Sequence, residues 1–409
     1  MQRQSGWRAL RALSLVLASA PSLAAAQAPD EESSQSCEDV RERIRLARAP
    51  VGRLAATYDG GVLVLDGRTL NVVADIPLAG FLRLGAAGDD RHIVVSTDDA
   101  FRFLDTGVVP GRRARPSAPK LHDYQIDSDH PGHVTVNAGL TVLFSDGSGI
   151  AQIFPPDALG DALPSFEEWV APAPHHGVVV ALEGPDGKLL VTVGTEEARS
   201  GAAVLNDKHE VIASSDRCPG VHGESVAADG VVALGCEDGV LLYRDGAFHK
   251  LQSPDAYGRI GNQAGDEHSK YILGDYKTDP EAELERPLRV SIIDTEALSL
   301  KLVDLPASYT FRSLGRGPNG EAIVLGTDGA LHVIDPEAAA VVDSFPVIGA
   351  WEESLEWQDP RPTLRVIDHY AYVTEPSQSA LHIVDLDTGS VVHSAELPHV
   401  PNELSGVTH

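Results

Sequence analysis

The chain has 409 residues, with 60 Asp and Glu against 32 Lys and Arg, a formal charge of −28. So acidic a protein is repelled by phosphate backbones and anionic bilayers, which excludes nucleic-acid binding as a function class. Three cysteines are too few for a disulfide-dense scaffold or an iron–sulfur protein, and 38 Gly with 27 Pro point to tight turns rather than a helical bundle.

Arg3, Arg8 and Arg11 precede an apolar run from Ala12 to Ala26 that closes on Ala24-Ala25-Ala26. A cationic start, an apolar stretch and a small-residue end are the parts of a secretory signal, here residues 1–26. The run is shorter than the ~20 residues a membrane span needs. A soluble mature chain in the periplasm, or secreted, is therefore expected, without membrane insertion. Cys37 follows Ser34-Gln35-Ser36 and lacks the aliphatic neighbour of a lipoprotein signal. It reads as a free thiol or an intermolecular partner. Residues 27–50 are acidic and then Arg-rich, and form a flexible leader in this reading.

From residue 51 to 409 one pattern recurs: an apolar alternation, then Asp or a turn, then a second β-prone run. Val62–Asp66, Leu331–Asp335 and Leu381–Asp385 carry it most clearly. Weaker copies are Phe101–Asp105, Ile150–Phe154, Ala203–Asn206, Val240–Tyr243 and Val290–Asp294. Alternation with period two marks strands with one buried face, and Asp-Gly or Asp-Pro pairs mark tight connections. Helical periodicity is nearly absent, apart from a turn around Asp279–Glu285. Eight copies spaced by about 45 residues predict an all-β fold, a single eight-bladed β-propeller, with seven blades or a pair of irregular sandwiches as alternatives. Pro401–His409 is expected to give an inner strand to the blade begun by Leu54–Tyr58, closing the ring.

Residues at equal offsets in successive blades face one another across the central channel. His133, His176 and His222 each open a candidate inner strand, 43 and 46 residues apart. Continued by the same step, the register reaches Phe311-Arg312, Glu356 and Asn402. Glu224, two residues after His222, shares its strand face. Three imidazoles and a carboxylate suit tetrahedral Zn²⁺. His175 and His176 point to opposite sides of an extended chain. The His-Gly step shared with His222 selects His176 and leaves His175 as a neighbour or second ligand. Polar, metal-free channels are also common in propellers, so a binding module without metal stays open.

Cys218 and Cys236 bracket a predicted hairpin and are expected to form a disulfide in an oxidising compartment, with metal thiolates as the alternative. No Gly-x-Ser-x-Gly elbow, phosphate loop or dinucleotide fingerprint is present. Asp127-Ser128-Asp129-His130 lacks the Gly and Glu spacing of a calcium loop and reads as a polar turn. The basic run Gly111-Arg112-Arg113-Ala114-Arg115-Pro116 reads as an exposed connector.

Several segments resemble the AztD-type periplasmic zinc metallochaperones. They are Ala173-Pro174-His175-His176-Gly177-Val178, Cys218-Pro219-Gly220-Val221-His222-Gly223-Glu224, Leu234-Gly235-Cys236-Glu237-Asp238-Gly239-Val240-Leu241, Phe144–Gly149 and Asp359–Pro362. Tyr372-Val373-Thr374-Glu375 is similar to the blades of the wider YVTN and WD40-like class. The resemblance implies a monomeric, non-enzymatic propeller that binds zinc and passes it to the solute-binding protein of an ABC-type zinc importer. By position it implies His133, His176 and His222 as ligands, with His175 and Glu224 beside them. The chain departs from the family at Phe311-Arg312, at Asn137, at Glu356 and at Arg112–Pro116, where the family carries histidines. Those departures imply a weaker carrier or a changed ligand set. Beside the zinc carrier stand two further readings, a metal-free propeller module for a protein or glycan partner and, with least support, a propeller enzyme.

Overall fold

The computed structural model describes residues 52–109, 116–184 and 188–408. The expected signal, the leader, Cys37 and the run Gly111–Arg115 lie outside the described residues. Among the described residues every β-sheet has four antiparallel strands, and there are eight sheets. The eight segments picked out by the repeat, Val62–Asp66 through Leu381–Asp385, all fall on the third strand of a sheet, counted from the axis. The Asp that ends many of them folds back on the turn that follows. Asp294 accepts from the amides of Glu296 and Ala297, Asp335 from Glu337 and Ala338, and Asp385 from Asp387 and Thr388. This local bond gives the chain a cheap exit from the strand, which is why the apolar-then-Asp pattern was visible.

Alternating side chains of adjacent sheets interlock, and a separate apolar core fills each of the eight gaps between blades. The last gap is closed by a shared sheet. Leu404–Thr408 pairs with Gly52–Tyr58 and becomes the innermost strand of blade 1, as expected from sequence. Blade 2 runs Arg83–Ala86, His92–Ser96, Ala100–Asp105 and Lys120–Asp127 from axis to rim, and blade 3 begins with Pro131–Asn137. Blades 4 and 5 begin with Val179–Ala181 and His222–Val226. The segment around Asp279–Glu285 is a turn, held by the Glu285 carboxylate on the amides of Thr278 and Asp279.

Cys218 and Cys236 are joined in a disulfide. Both are buried between blades 4 and 5. The bridge ties the segment leading into the His222–Val226 strand to that strand's neighbour. No described helix is long and apolar enough to cross a membrane.

Candidate metal centre

His133 lies on the inner strand of blade 3, His176 just before the inner strand of blade 4, and His222 at the start of that of blade 5. One nitrogen from each lies within 4.8 Å of the others. Their ring centroids are 5.2 Å apart for His133 and His176, 5.7 Å for His133 and His222, and 4.9 Å for His176 and His222. The equal blade length therefore brings together side chains more than forty residues apart.

Each ring has its Nδ1 already engaged. The Glu224 carboxylate is 3.0 Å from Nδ1 of His133, the Asp146 carboxylate is 2.5 Å from Nδ1 of His176, and Nδ1 of His222 donates to the Gly261 carbonyl at 2.7 Å. An imidazole whose Nδ1 donates to a carboxylate or carbonyl keeps its Nε2 lone pair for a cation, and the outer partner fixes the ring and raises its basicity. Tetrahedral zinc with nitrogens at about 2.0–2.1 Å holds them roughly 3.4 Å apart, so closing on an ion asks only small ring movements. Three protein ligands leave the fourth position free, as in sites that exchange what they bind.

A bulge makes this possible. The pairing of His222–Val226 with Val232–Cys236 slips between His222 and Glu224. Gly223 sits there at φ +71°, and a Cβ on it would lie 2.3 Å from the Gly261 oxygen. Only glycine lets His222 approach that carbonyl. The bulge also breaks strict alternation, so Glu224 serves His133 across the channel instead of joining the three nitrogens.

His175 is the correction to the sequence reading. It is buried, with Nδ1 on the Ala173 carbonyl at 2.9 Å, Nε2 3.0 Å from the Thr192 hydroxyl, and its ring against Phe144. Adjacent residues of an extended chain face opposite ways, and both its nitrogens are spent inside the blade, so it is not a second ligand. Sequence reasoning missed Asp146 and Gly261. Asp146 lies in the Phe144–Gly149 segment, whose only signal in the sequence is the family resemblance.

The three imidazoles differ in access. The side chain of His176 is 38% exposed and that of His133 15%. His222 is deeper, and burial first, then the neighbouring His133, pushes its pKa down to about 2, so it stays neutral at any ordinary pH. His176 and Asp146 open onto a cleft of about 470 Å³ rimmed by Phe81, Arg83, Asp98, His130 and Trp357. Across the channel, Arg312 is held by Asn402 and Glu403, the latter at 3.2 Å, so its charge is compensated. Glu356 is exposed, and the buried carboxylate of that loop is Glu353, paired with Arg361 at 2.6 Å. Asp127-Ser128-Asp129-His130 is a polar turn in which His130 pairs with Asp129.

Asp146→Asn tests the outer partners. Loss of the carboxylate behind His176 is expected to weaken zinc binding by about 10–100-fold without unfolding, measured by competition with a chelating dye.

No protein-family model matches the sequence. The zinc chaperone AztD of Citrobacter koseri is 28% identical over 279 residues, which are 66% of this chain and 63% of that protein. The match thus spans less than two thirds of the relative's length. Two structures of Citrobacter koseri AztD, one of them apo, superpose with TM-scores of 0.75 and 0.74 at 24% identity. Each covers 88% of this chain, and 98% and 97% of the respective structure. The dihydro-heme d1 dehydrogenase NirN shares the fold alone, with a TM-score of 0.55 at 13% identity over 87% of this chain and 75% of its own.

Proposed function

We infer that this chain, a member of the AztD-type β-propellers, is an exported zinc carrier that holds one Zn²⁺ on His133, His176 and His222. It surrenders the ion to the solute-binding protein of an ABC-type importer, and no catalysis is assigned to it. One observation carries the reading: three imidazoles converge with every Nδ1 occupied, which leaves three Nε2 atoms for one cation. The zinc chaperone among its relatives supports zinc as the cargo. The Cys218–Cys236 disulfide supports an oxidising compartment, hence the periplasm.

Transfer requires an ion that can leave. His176 is the most exposed ligand, and the open cleft beside it gives a path out. A partner ligand entering the fourth position there could take the ion before it enters water. Zinc-loaded protein mixed with the metal-free solute-binding protein is expected to pass its ion on faster than it loses zinc to a chelator alone. Equal rates would sink the delivery half of the proposal. Binding of less than about a tenth of an equivalent from micromolar zinc would sink the carrier half.

The metal-free module has its own support in apolar side chains at the same end of the channel. Trp357 and Leu355 are 53% and 61% exposed, and Phe81 packs edge-on against Trp357. Under that reading a His176→Ala, His222→Ala variant keeps its partner.

A further inference from the structure

Blade 2 breaks the repeat at one position. In three other blades whose third strand ends in Asp, the residue paired with it on the second strand is Arg53 for Asp66, Tyr271 for Asp294 and Tyr370 for Asp385. In blade 2 the residue opposite Asp105 is His92. His122, on the outer strand of the same blade, completes a group whose ligand atoms lie within 4.8 Å of one another. All three residues are buried, at 2% for His92, 2% for Asp105 and 5% for His122.

The internal geometry is that of ligands, not of packing alone. Nε2 of His92 and Nε2 of His122 share a hydrogen bond at 3.2 Å, whose proton a shared cation would displace. Two nitrogens bound to one tetrahedral zinc are separated by roughly 3.4 Å. Nδ1 of His92 is anchored on the Asp89 carboxylate at 2.5 Å, which turns its Nε2 toward the group. Asp105 takes the Arg91 guanidinium in a two-point pair at 2.9 and 2.7 Å and the Gly107 amide at 2.8 Å. A carboxylate has about four acceptor positions, so one remains on the oxygen that meets only Arg91.

We propose that His92, His122 and Asp105 form a second divalent-cation site, of the two-nitrogen, one-oxygen kind that zinc favours. It is separate from the channel centre. The channel histidines stand at the start of inner strands, whereas His92 starts a second strand, and antiparallel pairing puts that start at the other end of the sheet. The two sites therefore lie toward opposite faces of the wheel. Ligation by both Nε2 atoms places the His122 proton on Nδ1. Arg91, partly exposed and bound to Asp105, covers the group from solvent.

The site is tested in the whole mature chain with Zn²⁺, and with Co²⁺ for its visible absorption. Wild type is expected to bind two equivalents. A His176→Gln, His222→Gln variant is expected to keep one, with the strong absorption of a four-coordinate cobalt site. A His92→Gln, His122→Gln variant is expected to keep the channel equivalent alone, and the four substitutions together none. His122→Gln by itself serves if the paired variant does not fold. The proposal is overturned if the folded channel variant binds no metal, or if its remaining equivalent survives His122→Gln. Neither result bears on the channel centre, whose loss would show instead as a missing equivalent in the His92→Gln, His122→Gln variant.

Discussion

His222→Gln is expected to lower zinc affinity by more than about 100-fold, beyond what loss of an outer partner costs. Glutamine can still donate to the Gly261 carbonyl that His222 Nδ1 now meets, so the bulge at Gly223 keeps its anchor. What disappears is one of the three nitrogens that converge on the ion. Saturating zinc stabilises a folded carrier by roughly 4 kcal/mol at a thousand times its dissociation constant. Wild type should therefore melt several degrees higher with zinc, and the variant should gain far less.

The same substitution has a signature without metal. His222 stays neutral in the folded protein to about pH 2, while in the unfolded chain it takes a proton below its ordinary value of 6.5. Between those limits the unfolded state holds one more proton. Stability then falls as pH falls, by about 1.4 kcal/mol per pH unit from this residue. In metal-free protein at pH 4–6, urea unfolding should show a shallower acid loss for His222→Gln than for wild type. Equal slopes would mean that His222 is solvated and not held in the channel as described.

Much of the fold was written in local chemistry. Alternation could be read eight times because each third strand is buried on both sides by neighbouring blades, and in five of the eight it ends in Asp, as at Asp294 and Asp335, whose carboxylates cap the turn that follows. The register of His133, His176 and His222 was readable for a related reason: equal modules turn sequence offset into position around an axis. What escaped the reading depends on contacts that offset does not encode. Asp146 serves His176 from the preceding blade, Gly261 serves His222 from the following one, and the slip at Gly223 sends Glu224 to His133. His175 and His176 look alike in sequence, and only Thr192 and the Ala173 carbonyl distinguish them. The blade 2 group escaped because its members sit on three strands of one sheet instead of at one offset in three sheets.

Removing residues 401–409 is expected to abolish cooperative folding. Leu404–Thr408 pairs along Gly52–Tyr58 from Gly52 opposite Thr408 to Ala56 opposite Leu404, and its side contacts reach the inner strands of blades 2 and 8. The segment before it is equally tied. The Glu403 carboxylate accepts the Leu84 amide at 2.9 Å and pairs with Arg312, and the Asn402 carbonyl accepts the Thr363 hydroxyl at 2.8 Å. Deletion would leave Arg312 buried without its counter-charge, a loss of about 3–5 kcal/mol by itself. It would also bare the edge of Gly52–Tyr58, whose Leu54, Ala55 and Ala56 are now fully buried. Net stabilities of roughly 5–15 kcal/mol do not survive the sum. Leu404→Ala isolates the packing share and should cost about 2–5 kcal/mol while leaving the ring closed. Calorimetry separates the two: a lowered but single transition for Leu404→Ala, and none for the truncated chain. A truncated chain that melted in one sharp transition near wild type would show that the ring closes without its last strand. The zinc centre should follow closure, since blades 3 to 5 hold their histidines together only while the ring fixes the distance between inner strands.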